Sequence, residues 1–384
     1  MTTLQGVEPS APADASAPDH RGSWIPTWSM VTTRFMELRR RKGIMITIFV
    51  VVIALPTVFL AIRLLLHAVD PKSYGVAGGA NIFAGLVAGV MYVFGFIVAA
   101  MLGCTAGSID LSEGMFRHLV VTGRSRLALY LARIPAGLAI IVSMVAVGFA
   151  IICLVCSFAA PTTVSYDGAT VPAGLSQPAF VNWAGDHWGT VICQFNFNGP
   201  NFGNVECGPN GFVGIAKNGV PGAPTSSAGQ PTTAQLRAAA MKIAAQTYPD
   251  YAAIFLSPPI SLMVGSGLWL LLETTIGFIV GLGLGSLLGQ RTVSVILMIV
   301  LEIVLTPLLS RNRIPYLLNA QRGLVGVATG HLEPNGLITV VGSGGGPGGN
   351  LRLPETTTVA VIVILAWLVG WTVLGAWRMA KRDA

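Results

Sequence analysis

An all-α polytopic membrane protein with six transmembrane helices is predicted by three observations. Hydrophobic residues make up 53% of the 384-residue chain and charged residues 10%, far below the ~25% charge of a soluble domain; mean hydropathy is +0.70. Six apolar runs, at roughly 44–66, 81–106, 127–160, 260–289, 293–309 and 356–377, approach or exceed the ~20 residues that cross about 30 Å of hydrocarbon. Basic residues cluster beside alternate ends of these runs, as the inner loops of a membrane protein do.

Residues 1–22 are rich in Ala, Pro, Ser and Asp, a composition that buries no core, and a disordered tail is expected. No apolar run appears before residue 44, so no signal peptide is expected. Residues 23–43 predict an interfacial amphipathic helix. Trp24, Trp28, Val31, Phe35 and Leu38 recur at steps of four, three, four and three along one stripe, with Thr32, Thr33, Arg34 and Glu37 elsewhere on the surface. Tryptophans on the apolar face and a basic end suit the cytoplasmic membrane interface. A plain anchor and a part in coupling both fit this helix.

Orientation follows from charge placement rather than from the total of 23 Lys and Arg against 16 Asp and Glu, and no nucleic-acid footprint is present. Arg34, Arg39, Arg40, Arg41 and Lys42 precede the first run, and Arg117, Arg124 and Arg126 follow the second. Arg291 separates the fourth and fifth, and Arg378, Lys381 and Arg382 follow the last. In a six-span plan these share one side, which is read as cytoplasmic, with both termini inside the cell membrane. Arg311, Arg313, Arg322 and Arg352 dissent. Arg63 and His67, near the outer end of the first run, are read as snorkelling to the interface.

Residues 44–160 then hold spans one to three with a cytoplasmic helix at 110–122. Asp110 can cap free amides, Glu113 can bond back three residues later, and Gly123 suits a left-handed terminal turn. With Arg117, Arg124 and Arg126 on or beside it, this helix reads as a docking element. Residues 161–251 form an extracytoplasmic insertion between spans three and four. It has a strand-like piece at Thr190–Asn196 and turns helical over Thr233–Thr247, so a small folded subdomain is expected. Cys193 and Cys207 could bridge there, which would add about 3 kcal/mol. Cys104, Cys153 and Cys156 lie in apolar runs as packing residues.

Residues 252–384 carry spans four to six and an outer region at 310–355. In span four, Glu273, Gly277, Gly281, Gly285 and Gly289 follow one another at steps of four, a ridge that lets another backbone come close; Gly85/Gly89 and Gly103/Gly107 repeat the spacing. Glu273 and Glu302 are the acids well inside spans, where an ionised carboxylate is expensive. They read either as polar points lining a path or gate, or as structural hydrogen bonds between helices. Gly342–Asn350 lacks the Gly-Lys-Ser/Thr ending of a phosphate loop and reads as flexible. Nothing in the spacing of Asp186, His187 and Glu206 recommends a metal, and no metal site is assigned. The chain has no nucleophile elbow, HExxH or paired-carboxylate pattern, so no catalytic residues are assigned and an enzyme is not expected.

Glu113-Gly114, the pair Leu119-Val120, the turn Thr122-Gly123, Arg126 and then Arg133 resemble the cytoplasmic segment of six-helix ABC type 2 exporter permeases. These read E-x-x-x-G-T, L-L, a Pro-containing turn, an Arg and a Lys before span three. Here the acid directly precedes Gly, Met115 and Phe116 replace small polar positions, Gly123 stands where Pro is common, and Arg133 replaces Lys. The resemblance covers about 23–160 and 255–384; the family's connection after span three is much shorter than 161–251. It implies that Asp110, Glu113, Gly114, Phe116, Arg117, Leu119, Gly123, Arg124 and Arg126 belong to a coupling helix. Phe116 and Leu119 would pack in a groove on an ABC ATPase subunit, and Arg117 and Arg124 would pair with its acidic rim. With no Walker A motif in this chain, ATP and Mg would be held by that partner, and no cofactor here. A second permease copy or paralogue would complete a pathway among membrane lipids for an unidentified substrate. Pro315–Val327 looks like the family's outer re-entrant piece; an outer-surface amphipathic helix is the other reading. The rival functions are a membrane sensor or assembly protein using 161–251, and an ion- or proton-coupled carrier using Glu273 and Glu302.

Overall fold

The computed structural model describes residues 25–70, 74, 77–112, 125–160, 164–166, 169–188, 233–310, 315–337 and 355–381. Six helices are long and apolar enough to cross a membrane: Lys42–Val69, Ala80–Ile109, Arg126–Phe158, Ile260–Leu288, Arg291–Leu309 and Thr357–Lys381, here spans one to six. Each coincides with a predicted run, and the chain has the build of a multi-pass helical membrane protein.

Span four is the hub. Of its most apolar window 72% is buried, against 17% for span six, which leaves most of its surface to lipid. The hub forms because glycine removes the side chains that would hold neighbours away. A methyl at Gly281 would lie 2.6 Å from the Ala100 carbonyl oxygen and one at Gly285 2.5 Å from that of Cys104. Gly277 faces Phe96, and from the other side Gly103 and Gly107 meet the backbone at Phe278 and Leu282. The ridge therefore packs on span two of the same chain, glycine against backbone in both directions. Gly283 turns to Trp371 of span six, and Gly289 ends the helix at φ 66°, the left-handed turn that glycine accepts without strain. Gly85 and Gly89, of identical spacing, face open space, where an added methyl would meet no other part of the protein within 4 Å.

Three spans contain π-turns that periodicity did not predict: Val50–Ala54, Leu86–Met91 and Val300–Leu305. Two precede prolines, Pro56 and Pro307, which have no amide hydrogen for the carbonyl four residues back and so displace the local ladder. In span one the carbonyl concerned, that of Val52, faces Gly148 of span three, where any side chain would collide with it.

The amphipathic helix forms at Trp28–Arg40. Its buried line is Met30, Arg34 and Leu38; Met30 packs with Ala128, Leu129 and Ala132 at the start of span three, and Leu38 joins the main core. Arg34 is thus not on the open surface as expected. It lies in phase with the buried residues, and its guanidinium is held by Glu37 at 2.6 Å. Trp28 is 77% exposed, on a face left for lipid, and Trp24 is outside the described residues.

The insertion contains an antiparallel hairpin, Val164–Tyr166 with Ala169–Val171, and two helices, Gln177–Asp186 and Thr233–Phe255. The second helix runs past the predicted Thr247 and through Pro249 to a short link into span four. The pair shares its own core of Phe180, Ala184, Ala240, Ala244, Tyr251 and Phe255. Tyr251 donates to the Pro172 carbonyl at 2.6 Å and accepts from the Leu175 amide at 3.1 Å, fixing the chain that enters the first helix. Asp186 pairs with Arg237 at 2.6 Å on the surface, a contact worth little. Thr190–Asn196, Cys193, Cys207 and Glu206 lie outside the described residues.

Burial, as the main cause, raises the Tyr251 phenol above its ordinary 10.0; the bond from Leu175 lowers it and Tyr248 raises it further. A raised folded value means the folded state holds this proton more tightly. The contribution is complete below about pH 10 and is lost as pH rises from there through the folded value. Tyr251→Phe is expected to flatten the alkaline loosening of the insertion, followed by limited proteolysis against pH. The same alkaline loss in the variant would assign it to another group.

Candidate functional site

The residues with the most constrained polar chemistry lie inside the bundle. Glu273 on span four, Glu302 on span five and Glu333 after the short helix Val325–His331 are 2%, 3% and 4% exposed. Each is placed by a local device. Glu302 sits inside the Val300–Leu305 π-turn, which rotates it out of the α-helical register. Tyr92 stands directly after the π-turn of span two, and its hydroxyl donates to Glu302 Oε1 at 3.2 Å. Thr306 is within 3.4 Å of Glu302 Oε2, but its hydroxyl also bonds the Leu301 carbonyl at 3.0 Å, five residues back in keeping with the π-turn.

Around Glu273, the Trp269 ring stacks on Tyr92 with centroids 5.0 Å apart, and its Nε1–H donates to the Thr329 carbonyl at 3.0 Å. The Thr329 hydroxyl, a neighbour of Glu273, bonds the Gly326 carbonyl at 3.2 Å. Glu273 Oε1 is buried without a hydrogen-bond partner. Gly326 lies against the Glu302 carboxylate and Thr306 so closely that a side chain there would overlap both.

The short helix Val325–His331 is thereby locked into the bundle. Val325–Gly330 is buried, Trp367 of span six donates to the Gly323 carbonyl at 2.8 Å, and Gln321 donates to the Leu309 carbonyl at 2.7 Å. Pro315–Val327 divides between its two readings: Tyr316, Leu317, Asn319 and Ala320 are exposed, as on a surface helix, while Gln321 and Val325–Val327 are buried. A separate recess of about 680 Å³ lies between spans three and four, lined by Phe149, Cys153, Met263 and Gly267 among others; none of the carboxyl cluster lines it.

The docking segment is placed only at its ends. Asp110 is not the start of a helix. The helix of span two runs on through it to Ser112, because neither Pro nor Gly intervenes between Gly107 and Gly114. Glu113, Gly114, Phe116, Arg117, Leu119, Gly123 and Arg124 lie outside the described residues. Beyond them, Ser125 caps the helix that Arg126 begins, accepting from the Ala128 amide at 3.1 Å. Arg126 donates to the Ala380 carbonyl at the end of span six at 3.1 Å, and buried Arg133 donates to the Gly107 carbonyl of span two at 3.2 Å.

Sequence reading singled out Glu273 and Glu302 but not Tyr92, Trp269, Thr306, Gly326, Thr329 or Glu333. Tyr92 and Trp269 carried a usable signal, since an aromatic residue with a polar tip inside an apolar run needs a partner there. Glu333 carried none, standing alone in a region read as loop. Comparison with protein-family models, with curated proteins and with solved structures gave no match.

Proposed function

We propose that the chain is the membrane-spanning permease subunit of an ATP-binding cassette exporter in the cell membrane, with both termini cytoplasmic, working with a second copy or a paralogue. A separate ATPase, carrying ATP and Mg, would dock on the segment that follows span two. One observation carries the reading: everything bordering that segment is tied together. Arg133 joins the start of span three to the end of span two, Arg126 joins it to the end of span six, and the Trp28–Arg40 helix rests on Ala128, Leu129 and Ala132. A push on residues 113–124 would therefore move spans two, three and six and the amphipathic helix as one body, and span two would pass the motion to span four along the glycine ridge. Such an input point is what an external motor requires.

Arg117→Glu combined with Phe116→Ala is expected to abolish co-purification of the ATPase and ATP-dependent transport, while the protein remains inserted in the membrane. A double variant that still bound and was driven by the ATPase would overturn the reading. A sensor would keep its function in that variant, and a carrier would transport with no ATPase at all.

A further inference from the structure

We infer that Glu273 and Glu302 form an intramembrane proton-binding site, closed by Tyr92 of span two and by the Gly326–Thr329 turn of the short helix. The inference does not rest on the ATPase reading; it follows from donors and acceptors within the bundle.

The two glutamates present four oxygens in a space that excludes water, and each oxygen needs a donor. The hydroxyls within reach each have one hydrogen. Tyr92 gives its hydrogen to Glu302 Oε1. Those of Thr306 and Thr329 are contested by the Leu301 and Gly326 carbonyls. Among the described residues, neither glutamate has a Lys, Arg or His as hydrogen-bond or ion-pair partner, and Glu273 Oε1 has no partner at all. The titratable groups acting electrostatically on Glu273 are Glu302 and Glu333, and those acting on Tyr92 are the three glutamates, so the site gathers acids from span four, span five and the end of the short helix.

What the site lacks is a donor hydrogen. A metal ion would need several of these groups to converge, and among the described residues no three His, Cys, Asp or Glu stand together as ligands. A proton needs only one oxygen. Taken from water onto a carboxylate oxygen, it forms one O–H bond, removes one negative charge and supplies the absent donor; on release the same bond breaks and the proton returns to water. Because Gly326 abuts the Glu302 carboxyl, occupancy of the site is felt by the Val325–His331 helix, and through Trp269 and Tyr92 by spans four and two. The π-turns, one ending directly before Tyr92 and one containing Glu302, are a ladder defect frequent at functional sites.

The test is infrared difference spectroscopy of the full-length protein in lipid nanodiscs, following the C=O stretch of protonated carboxyl groups from acid to alkaline pH in water and in deuterium oxide. A band is expected that titrates, shifts in deuterium oxide, and loses a distinct share of its intensity in Glu273→Gln and in Glu302→Gln. Tyr92→Phe, which leaves both carboxyls in place, is expected to shift the frequency and the titration midpoint. An unchanged band in both Gln variants would overturn the assignment. Should those variants fail to fold, an unchanged band in Tyr92→Phe would do so. A midpoint that moves when sodium chloride replaces choline chloride at equal ionic strength would make the occupant a metal cation and likewise end the proton assignment.

Discussion

Replacing Gly281 and Gly285 together by leucine is expected to separate spans two and four and to destabilise the bundle by at least about 3 kcal/mol. Each new side chain would have to enter space already filled by backbone, the Ala100 carbonyl at one level and the Cys104 carbonyl at the other. Backbone cannot swing aside as a flexible side chain can, so the helices must part, and with them the tight contacts of Gly103 and Gly107 on span four. The control is built into the sequence. Gly85→Leu with Gly89→Leu makes the same chemical change at the same spacing, where an added Cβ meets nothing within 4 Å, and is expected to leave the fold intact. Thermal unfolding in detergent, with a cysteine crosslink between spans two and four as a distance report, separates the two pairs. Equal loss in both would mean that glycine content, not the packing of spans two and four, sets stability.

Phe180→Ala is expected to melt the insertion while the spans persist. Phe180 is fully buried and stacks on Tyr251 with centroids 4.0 Å apart, and both rings belong to the core shared by Gln177–Asp186 and Thr233–Phe255. Removing a buried phenylalanine costs roughly 3–5 kcal/mol, and a two-helix unit has little reserve. Limited proteolysis should cut the insertion rapidly in the variant, while thermal unfolding of the spans is nearly unmoved. Loss of both together would show that the insertion and the spans fold as one unit; the bond from the Ala80 N–H of span two to the carbonyl of Leu256, directly after the Thr233–Phe255 helix, would then be a route of coupling.

How much could be read in advance differs by element, and each difference has a cause. The amphipathic helix was legible as a helix but its buried line was misjudged. A stripe drawn on apolar residues alone omits Arg34, whose charge is met locally by Glu37 three residues on, so its stem can lie in the buried line. The glycine ridge was legible as a contact surface, since side-chain absence at steps of four is a property of one helix. Its partner was not, because periodicity names a face and never the neighbour. Cap chemistry at Asp110 suits a helix start, but the helix of span two continues through it to Ser112. The carboxyl cluster was half legible: two acids in apolar runs are conspicuous, but Tyr92 and Glu302 meet across 210 residues of chain.

The sequence by itself determined that this is a multi-pass helical membrane protein of six apolar helices, because hydrocarbon imposes length and apolarity on every span regardless of its neighbours. Only the tertiary structure decided that span four is the hub, that its glycines meet span two, that Val325–Gly330 is buried against the spans, and that Glu273 and Glu302 share one enclosure with Tyr92 and Gly326. Those facts depend on which faces meet, and in lipid that is settled by close packing and hydrogen bonding between distant segments, for which no local pattern in the chain is a substitute.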